Sequence, residues 1–159
     1  SLTTNGTQLH KHAAALRAAG VKRLNISLDS LRADCVKHIT GTDCLPQVLE
    51  GIKTAQSVGF DFIKINMVPL QGINDFDLDD MVAFCIKHGF ILNLIEAMPM
   101  GVTGQRHAQV NLQPVLARLQ QQYDLVASSR QIGGGPARYW QSQDSRITLG
   151  LIIRWVHLF

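Results

Sequence analysis

The stretch FDFIKINMVPL, Phe60 to Leu70, decides how the fold is read. It is rich in branched and aromatic residues, which favours a strand. It follows LPQVLEGIKTAQSV (Leu45 to Val58), whose apolar residues recur at helical spacing, and Gly59 stands between the two as a helix stop. The same order of helix, glycine and strand recurs on both sides. Upstream, QLHKHAAALRAA (Gln8 to Ala19) predicts a helix ending at Gly20. VKRLNISL (Val21 to Leu28) then alternates apolar and polar residues as a strand does, and a short helical stretch runs from Leu31 to Ile39. Downstream, the turn QGIND leads to DLDDMVAFCIKHG, acidic at its start and basic near its end as a helix dipole prefers. ILNLIEAMP (Ile91 to Pro99) reads as the next strand.

Strands separated by helices predict parallel pairing through right-handed crossovers, because parallel neighbours need a long connection. The predicted class is α/β. Beyond Pro99 the pattern changes to a glycine-containing loop, a helix from about Leu112 to Gln122, and short strands in DLVASS, RYWQ and RITLGLII. A complete (β/α)8 barrel needs roughly 250 residues, so 159 can hold only part of one. The expected organisation is a partial TIM-type (β/α) barrel over residues 1–100, with 101–159 as a small α+β C-terminal extension packed on the same domain.

Composition sets outer bounds. A chain that is 46% hydrophobic and 17% charged can bury one core and is not disordered by composition. The formal charge of +3 comes from scattered Lys and Arg without a block of like charge, so small anions are expected as partners and nucleic acid is not. No run reaches about 18 uninterrupted apolar residues and the start SLTTNG has no signal-peptide character, so no membrane partner and a cytoplasmic location are expected. Cys35, Cys44 and Cys85 lack CxxC spacing and indicate reduced thiols, neither a disulfide framework nor a metal site. Ser1 is not an initiator Met, and the chain opens inside the end of a strand, as a piece of a longer protein would.

In parallel β/α architectures ligands gather at the carboxyl ends of the strands. Polar residues there are Thr3 and Asn5 in TTNG, Asn25 and Ser27 in NISLDS, Lys64 and Asn66 in IKINMVP, and Glu96 beside Met98 in IEAMPMG. Lys64 stands out, because a strand buried on both faces should be continuously apolar and an unpartnered ammonium is costly to bury. It should point into a polar mouth to grip a phosphate or, with a lowered pKa, act as an amine nucleophile; the plainer alternative is an edge lysine reaching water. Asn25 and Ser27 share one strand face and suit a ligand, or else mark a turn in which Asp29 or Ser30 caps the next helix. TTNG could equally be a strand-to-helix turn, and Met98 ordinary packing. GGGP (Gly133 to Pro136) lacks the GK[ST] ending of a phosphate loop and reads as a turn.

Taken in order, SLTTNG, NISLDS, HITG, VLEGIKTAQSVGF, IKINMVPLQGIND, IEAMPMG and GPARYW resemble the GTP 3′,8-cyclases of molybdenum cofactor biosynthesis, a radical S-adenosylmethionine (SAM) family, from Ser1 to about Ile152. The resemblance implies a barrel of the radical SAM kind. It implies that Thr3 and Lys64 contact GTP and that Ser27 and Met98 contact SAM, with Asn5, Asn25, Asn66 and Glu96 as pocket-lining candidates. The family uses 4Fe-4S chemistry to cleave SAM, and the deoxyadenosyl radical starts the conversion of GTP toward cyclic pyranopterin monophosphate. Two departures matter. The family's CxxxCxxC cluster motif would precede Ser1, and the second cysteine set with its arginine-rich GTP contacts would follow ITLGLI, where this chain reads IRWVHLF. Without thiolates a cluster has no ligands. The expectation is therefore a fragment, truncated or frame-shifted after about residue 152, keeping part of the pocket and inactive alone, with no catalytic residue assigned. The alternatives are a noncatalytic nucleotide-binding module, or a Schiff-base lyase using Lys64. An incomplete barrel leaves open sheet edges, which predicts self-association; sedimentation as a concentration-independent monomer would contradict it.

Overall fold

The computed structural model describes residues 1–98, 109–130, 132 and 135–153. Its elements run β1 (Leu2–Thr4), α1 (Leu9–Ala18), β2 (Arg23–Ser27), α2 (Ala33–Thr40), α3 (Leu45–Val58) and β3 (Phe62–Met67). A single 3-10 turn (Asp75–Asp77) then precedes α4 (Leu78–His88) and β4 (Ile91–Ile95). α5 (Leu112–Tyr123), β5 (Leu125–Ser128), β6 (Arg138–Ser142) and β7 (Thr148–Ile152) follow.

Seven strands form one sheet in the order β1-β2-β3-β4-β7-β6-β5. The first five of these are mutually parallel, and β6 and β5 add as an antiparallel pair beyond β7. The α/β class and the partial barrel of the radical SAM kind stand: among the described residues the sheet is not closed, and β1 and β5 are its edges. The chain leaves β4, builds α5 and the β5–β6 hairpin, and returns as β7 to the place beside β4. The strands after residue 100 thus share the sheet of the strands before it.

Side chains alternate across each strand, and one face is apolar. Leu24 and Ile26, Ile63, Ile65 and Met67, Leu92 and Leu94, and Leu149 and Leu151 are all buried on it. Ala13 of α1, Val48 and Ile52 of α3, Met81 of α4 and Leu119 of α5 belong to the same cluster. Burying a side chain of this size contributes roughly 1.5–3 kcal/mol, so this helix-covered face carries most of the folding free energy.

The decisive stretch Phe60 to Leu70 yields a shorter strand than its composition predicts, for an identifiable reason. After Met67 the Val68 N–H donates to the Asp29 carboxylate at 2.8 Å, so the chain leaves the ladder there. β4 likewise ends at Ile95, although the Glu96 N–H still donates to the Ile152 carbonyl at 2.9 Å; Pro99 lies outside the described residues. The loops after β2 and β3 are joined by Asn74, which is fully buried. Its Nδ2 donates to the carbonyls of Asp29 at 2.8 Å and Val68 at 3.1 Å, and its Oδ1 accepts the Leu70 N–H at 2.6 Å. Ser30 adds a hydroxyl bond to the buried Asp77 carboxylate. Burial pushes the Asp29 carboxyl above its ordinary range, partly offset by the Val68 N–H.

Asn74, itself fully buried, answers three part-buried backbone groups, and a buried group left unpaired costs about 1–3 kcal/mol. Asn74→Leu should therefore lower the unfolding free energy by roughly 2–4 kcal/mol, read as a lower urea midpoint at constant slope. A midpoint equal to that of the wild type would show that the two loops are not held together by this side chain.

Candidate functional site

The alternation that sends leucine and isoleucine toward the helices sends a different set to the other face. Register places Thr3 opposite Asn25, Asn25 opposite Lys64, and Lys64 opposite Ile91. One step further along, Ser27 faces Asn66, Asn66 faces Asn93, Asn93 faces Gly150, and Gly150 faces Tyr139. A cavity of about 430 Å³ opens over these rows, lined by Thr3, Asn25, Lys64, Asn66, Asn93 and Tyr139 among others. Arg23 also lines it, and no described lining residue is a carboxylate. The cavity is therefore electropositive and rich in hydrogen-bonding groups.

Lys64 is only 8% exposed. Its ammonium donates to the Tyr139 hydroxyl at 2.7 Å and to the Ile132 carbonyl, and the Tyr139 hydroxyl also donates to that carbonyl at 3.2 Å. None of the ion pairs among the described residues includes Lys64. Among the described residues its charge is thus met by neutral oxygens alone. Asn25 Nδ2 donates to Thr3 Oγ1 at 3.4 Å, and Asn93 Nδ2 donates to Asn66 Oδ1 at 3.0 Å. Asn93 Oδ1 is buried and has no partner. Gly150 makes that position possible, since a Cβ there would lie 2.1 Å from Asn93 Oδ1 and 2.9 Å from Tyr139 Cε1.

Of the residues picked from the sequence, Thr3, Asn25, Lys64 and Asn66 come together on this cavity. Ser27, Asn5, Glu96 and Met98 lie beyond its lining. Ser27 is exposed at the end of β2, facing Asn66 across the ladder. Asn5 is taken up locally, its Oδ1 accepting the Thr7 N–H at 3.1 Å and the Thr7 hydroxyl at 2.9 Å. Glu96 follows β4, and Met98 is 53% exposed. In GGGP, Gly133 and Gly134 lie outside the described residues, while Gly135 and Pro136 reach the cavity edge.

Arg23, Asn93 and Tyr139 line the cavity and escaped sequence reasoning. Asn93 carried the same signal as Lys64, a polar residue inside an apolar run, ILNLI. Tyr139 carried none, because tyrosine is at home in any strand.

The thiols do not join this site. Cys35 on α2 donates to the Ile73 carbonyl at 3.3 Å, Cys44 precedes α3 and packs against the core, and Cys85 on α4 is buried with its pKa pushed up to about 12 by desolvation. Among the described residues no group of three or more His, Cys, Asp or Glu side chains could hold a metal ion.

Comparison with known proteins agrees with this architecture. Residues 1–85 match the family model of the radical SAM superfamily, and the chain belongs to that superfamily. It is 44% identical over its whole length to a GTP 3′,8-cyclase of Ectopseudomonas mendocina, covering 49% of that protein. It is 41% identical to the enzyme of that name from Pseudomonas fluorescens, with 99% of this chain and 48% of that one aligned. The Mycolicibacterium smegmatis enzyme is 36% identical, with 100% and 46% aligned. The chain spans about half the length of the curated relatives it matches.

The contact between Gly150 and Asn93 makes a specific demand. Gly150→Ala should force the Asn93 amide off Asn66 and cost about 1–3 kcal/mol of stability, as overpacking generally does. Adding Asn93→Ala should recover part of that loss in urea titrations. If Gly150→Ala alone is neutral, the two residues are not in contact.

Proposed function

We propose that this chain forms the GTP- and SAM-binding part of a GTP 3′,8-cyclase, acting in the cytoplasm in molybdenum cofactor biosynthesis. The observation that carries the reading is Lys64, a buried ammonium with no carboxylate partner among the described residues, beside Thr3 in a cavity whose described lining holds no carboxylate. A buried cation held by neutral oxygens favours an arriving anion, because opposite charges attract more strongly away from bulk water than within it. Phosphate oxygens of GTP suit that position, with Thr3 and Asn25 offering hydroxyl and amide groups to the rest of the nucleotide. Ser27 and Met98, both exposed near the carboxyl ends of their strands, fit a SAM molecule lying above them.

SAM, when bound, supplies the deoxyadenosyl group on which radical chemistry on GTP depends. The three cysteines of this chain do not fit a 4Fe-4S cluster, since they sit on or beside different helices and none lines the cavity. The part played by these residues is binding and orientation, and catalysis on this reading requires cluster ligands from outside these 159 residues. Among the described residues no helix is long and apolar enough to cross a membrane. Recovery in the cytosolic fraction on cell fractionation checks the proposed location.

Calorimetric titration of the 159-residue chain with GTP tests the reading. Saturable binding is expected, weakened at least about tenfold by Lys64→Met and more modestly by Thr3→Val. Heats indistinguishable from dilution with the wild-type chain would remove GTP from this cavity.

A further inference from the structure

We propose that Tyr139 is the residue that positions Lys64 for an anionic ligand, and that the Ile132 carbonyl holds the place a phosphate oxygen takes. This rests on the reading of Lys64 as a phosphate contact. Tyr139 belongs to β6, which lies outside the parallel part of the sheet, while Lys64 is on β3; β7 and β4 separate them. Three inter-strand spacings amount to roughly 14 Å, a span that a tyrosine and a lysine cover only when both are extended toward each other. The path between them must also be clear. On β7 the residue facing Tyr139 is Gly150, where a Cβ would stand 2.9 Å from the tyrosine ring. On β4 the next residue is Asn93, whose side chain bonds sideways to Asn66. Glycine on β7 lets the phenol lean across that strand, and Ile91, the β4 residue facing Lys64, packs in one apolar cluster with Tyr139 and Ile132.

The chemistry at the meeting point is incomplete in a particular way. Lys64 has three N–H groups, and the hydroxyl of Tyr139 and the Ile132 carbonyl account for two acceptors, both uncharged. Tyr139 spends its own proton on the same carbonyl. A phosphate oxygen in place of that carbonyl would accept from the ammonium and the phenol together, leaving the Lys64–Tyr139 bond intact. The exchange replaces a neutral acceptor with a charged one, which is the favourable direction. The ligand class is a polyphosphate or nucleotide phosphate. Tyr139 sets where the ammonium stands when it arrives.

Tyr139→Phe keeps the ring and removes the hydroxyl. Two measurements on the intact chain follow, with inorganic tripolyphosphate as the probe. First, its dissociation constant should rise about tenfold in Tyr139→Phe and more in Lys64→Met, and the double variant should match Lys64→Met alone, since the phenol acts through the lysine. Second, acetylation of Lys64 by acetic anhydride, followed by peptide mass spectrometry, should accelerate several-fold in Tyr139→Phe while the rates at Lys22 and Lys53 stay unchanged. Weakened binding in Lys64→Met with wild-type affinity in Tyr139→Phe would overturn the positioning role and leave the phosphate reading standing. Wild-type affinity in Lys64→Met would overturn both. An unchanged Lys64 acetylation rate in Tyr139→Phe overturns the proposal whether or not tripolyphosphate binds.

Discussion

Everything in this protein depends on the period-two alternation of its parallel strands. In Arg23–Ser27, Phe62–Met67 and Ile91–Ile95 one set of residues is leucine, isoleucine and methionine, and the other contains Asn25, Lys64, Asn66 and Asn93. A parallel sheet covered by helices on both faces would bury both sets, and its strands would read as apolar throughout. Here, among the described residues, helices cover one face and the other is turned to a cavity. A slip of one residue in any strand would put an asparagine or a lysine under the helices and a leucine over the cavity, at a cost of several kcal/mol for the unpartnered polar group alone. The fold and the site are therefore specified by the same pattern, and neither can drift without the other.

The polar face is built with an electrostatic imbalance. Buried cations in proteins are ordinarily matched by carboxylates, because removing a charge from water is expensive. Lys64 is matched by a phenol and a peptide carbonyl, and the acidic residues of the surrounding loops are committed elsewhere: Asp29 to Val68 and Asp77 to Ser30. An arrangement that spends its carboxylates on holding loops and withholds them from the lysine is poised for an external anion.

How much of this was legible in the sequence follows from the range of the interactions. Helix and strand positions came from local periodicity, and the stretches read as Gln8 to Ala19 and Leu45 to Val58 fold as α1 and α3 with ends shifted by at most one residue. Thr3, Asn25, Lys64 and Asn66 were visible as polar intrusions near strand ends, and register then gathers them on one cavity. Strand lengths were overestimated where a side chain reaches back to the ladder, as Asp29 does to Val68 across 39 positions. Asn5 bonds Thr7 within its own loop, and nothing local in the sequence distinguishes such an asparagine from one that lines a cavity. Met98 and Glu96 follow a strand that stops earlier than its composition predicts.

Tyr139 marks the deeper limit. Its importance comes from the return of the chain as β7 beside β4, which carries the antiparallel β6 to the edge of a face otherwise built from the parallel strands. The sequence separation between Tyr139 and Lys64 is 75 residues, and the ring passes over Gly150, where a Cβ would stand 2.9 Å from it. No periodicity in either segment encodes such a contact. It arises from a strand order together with a glycine that leaves room for the ring. Segments that sequence composition assigns to an extension can thus complete a site whose obvious residues all lie elsewhere.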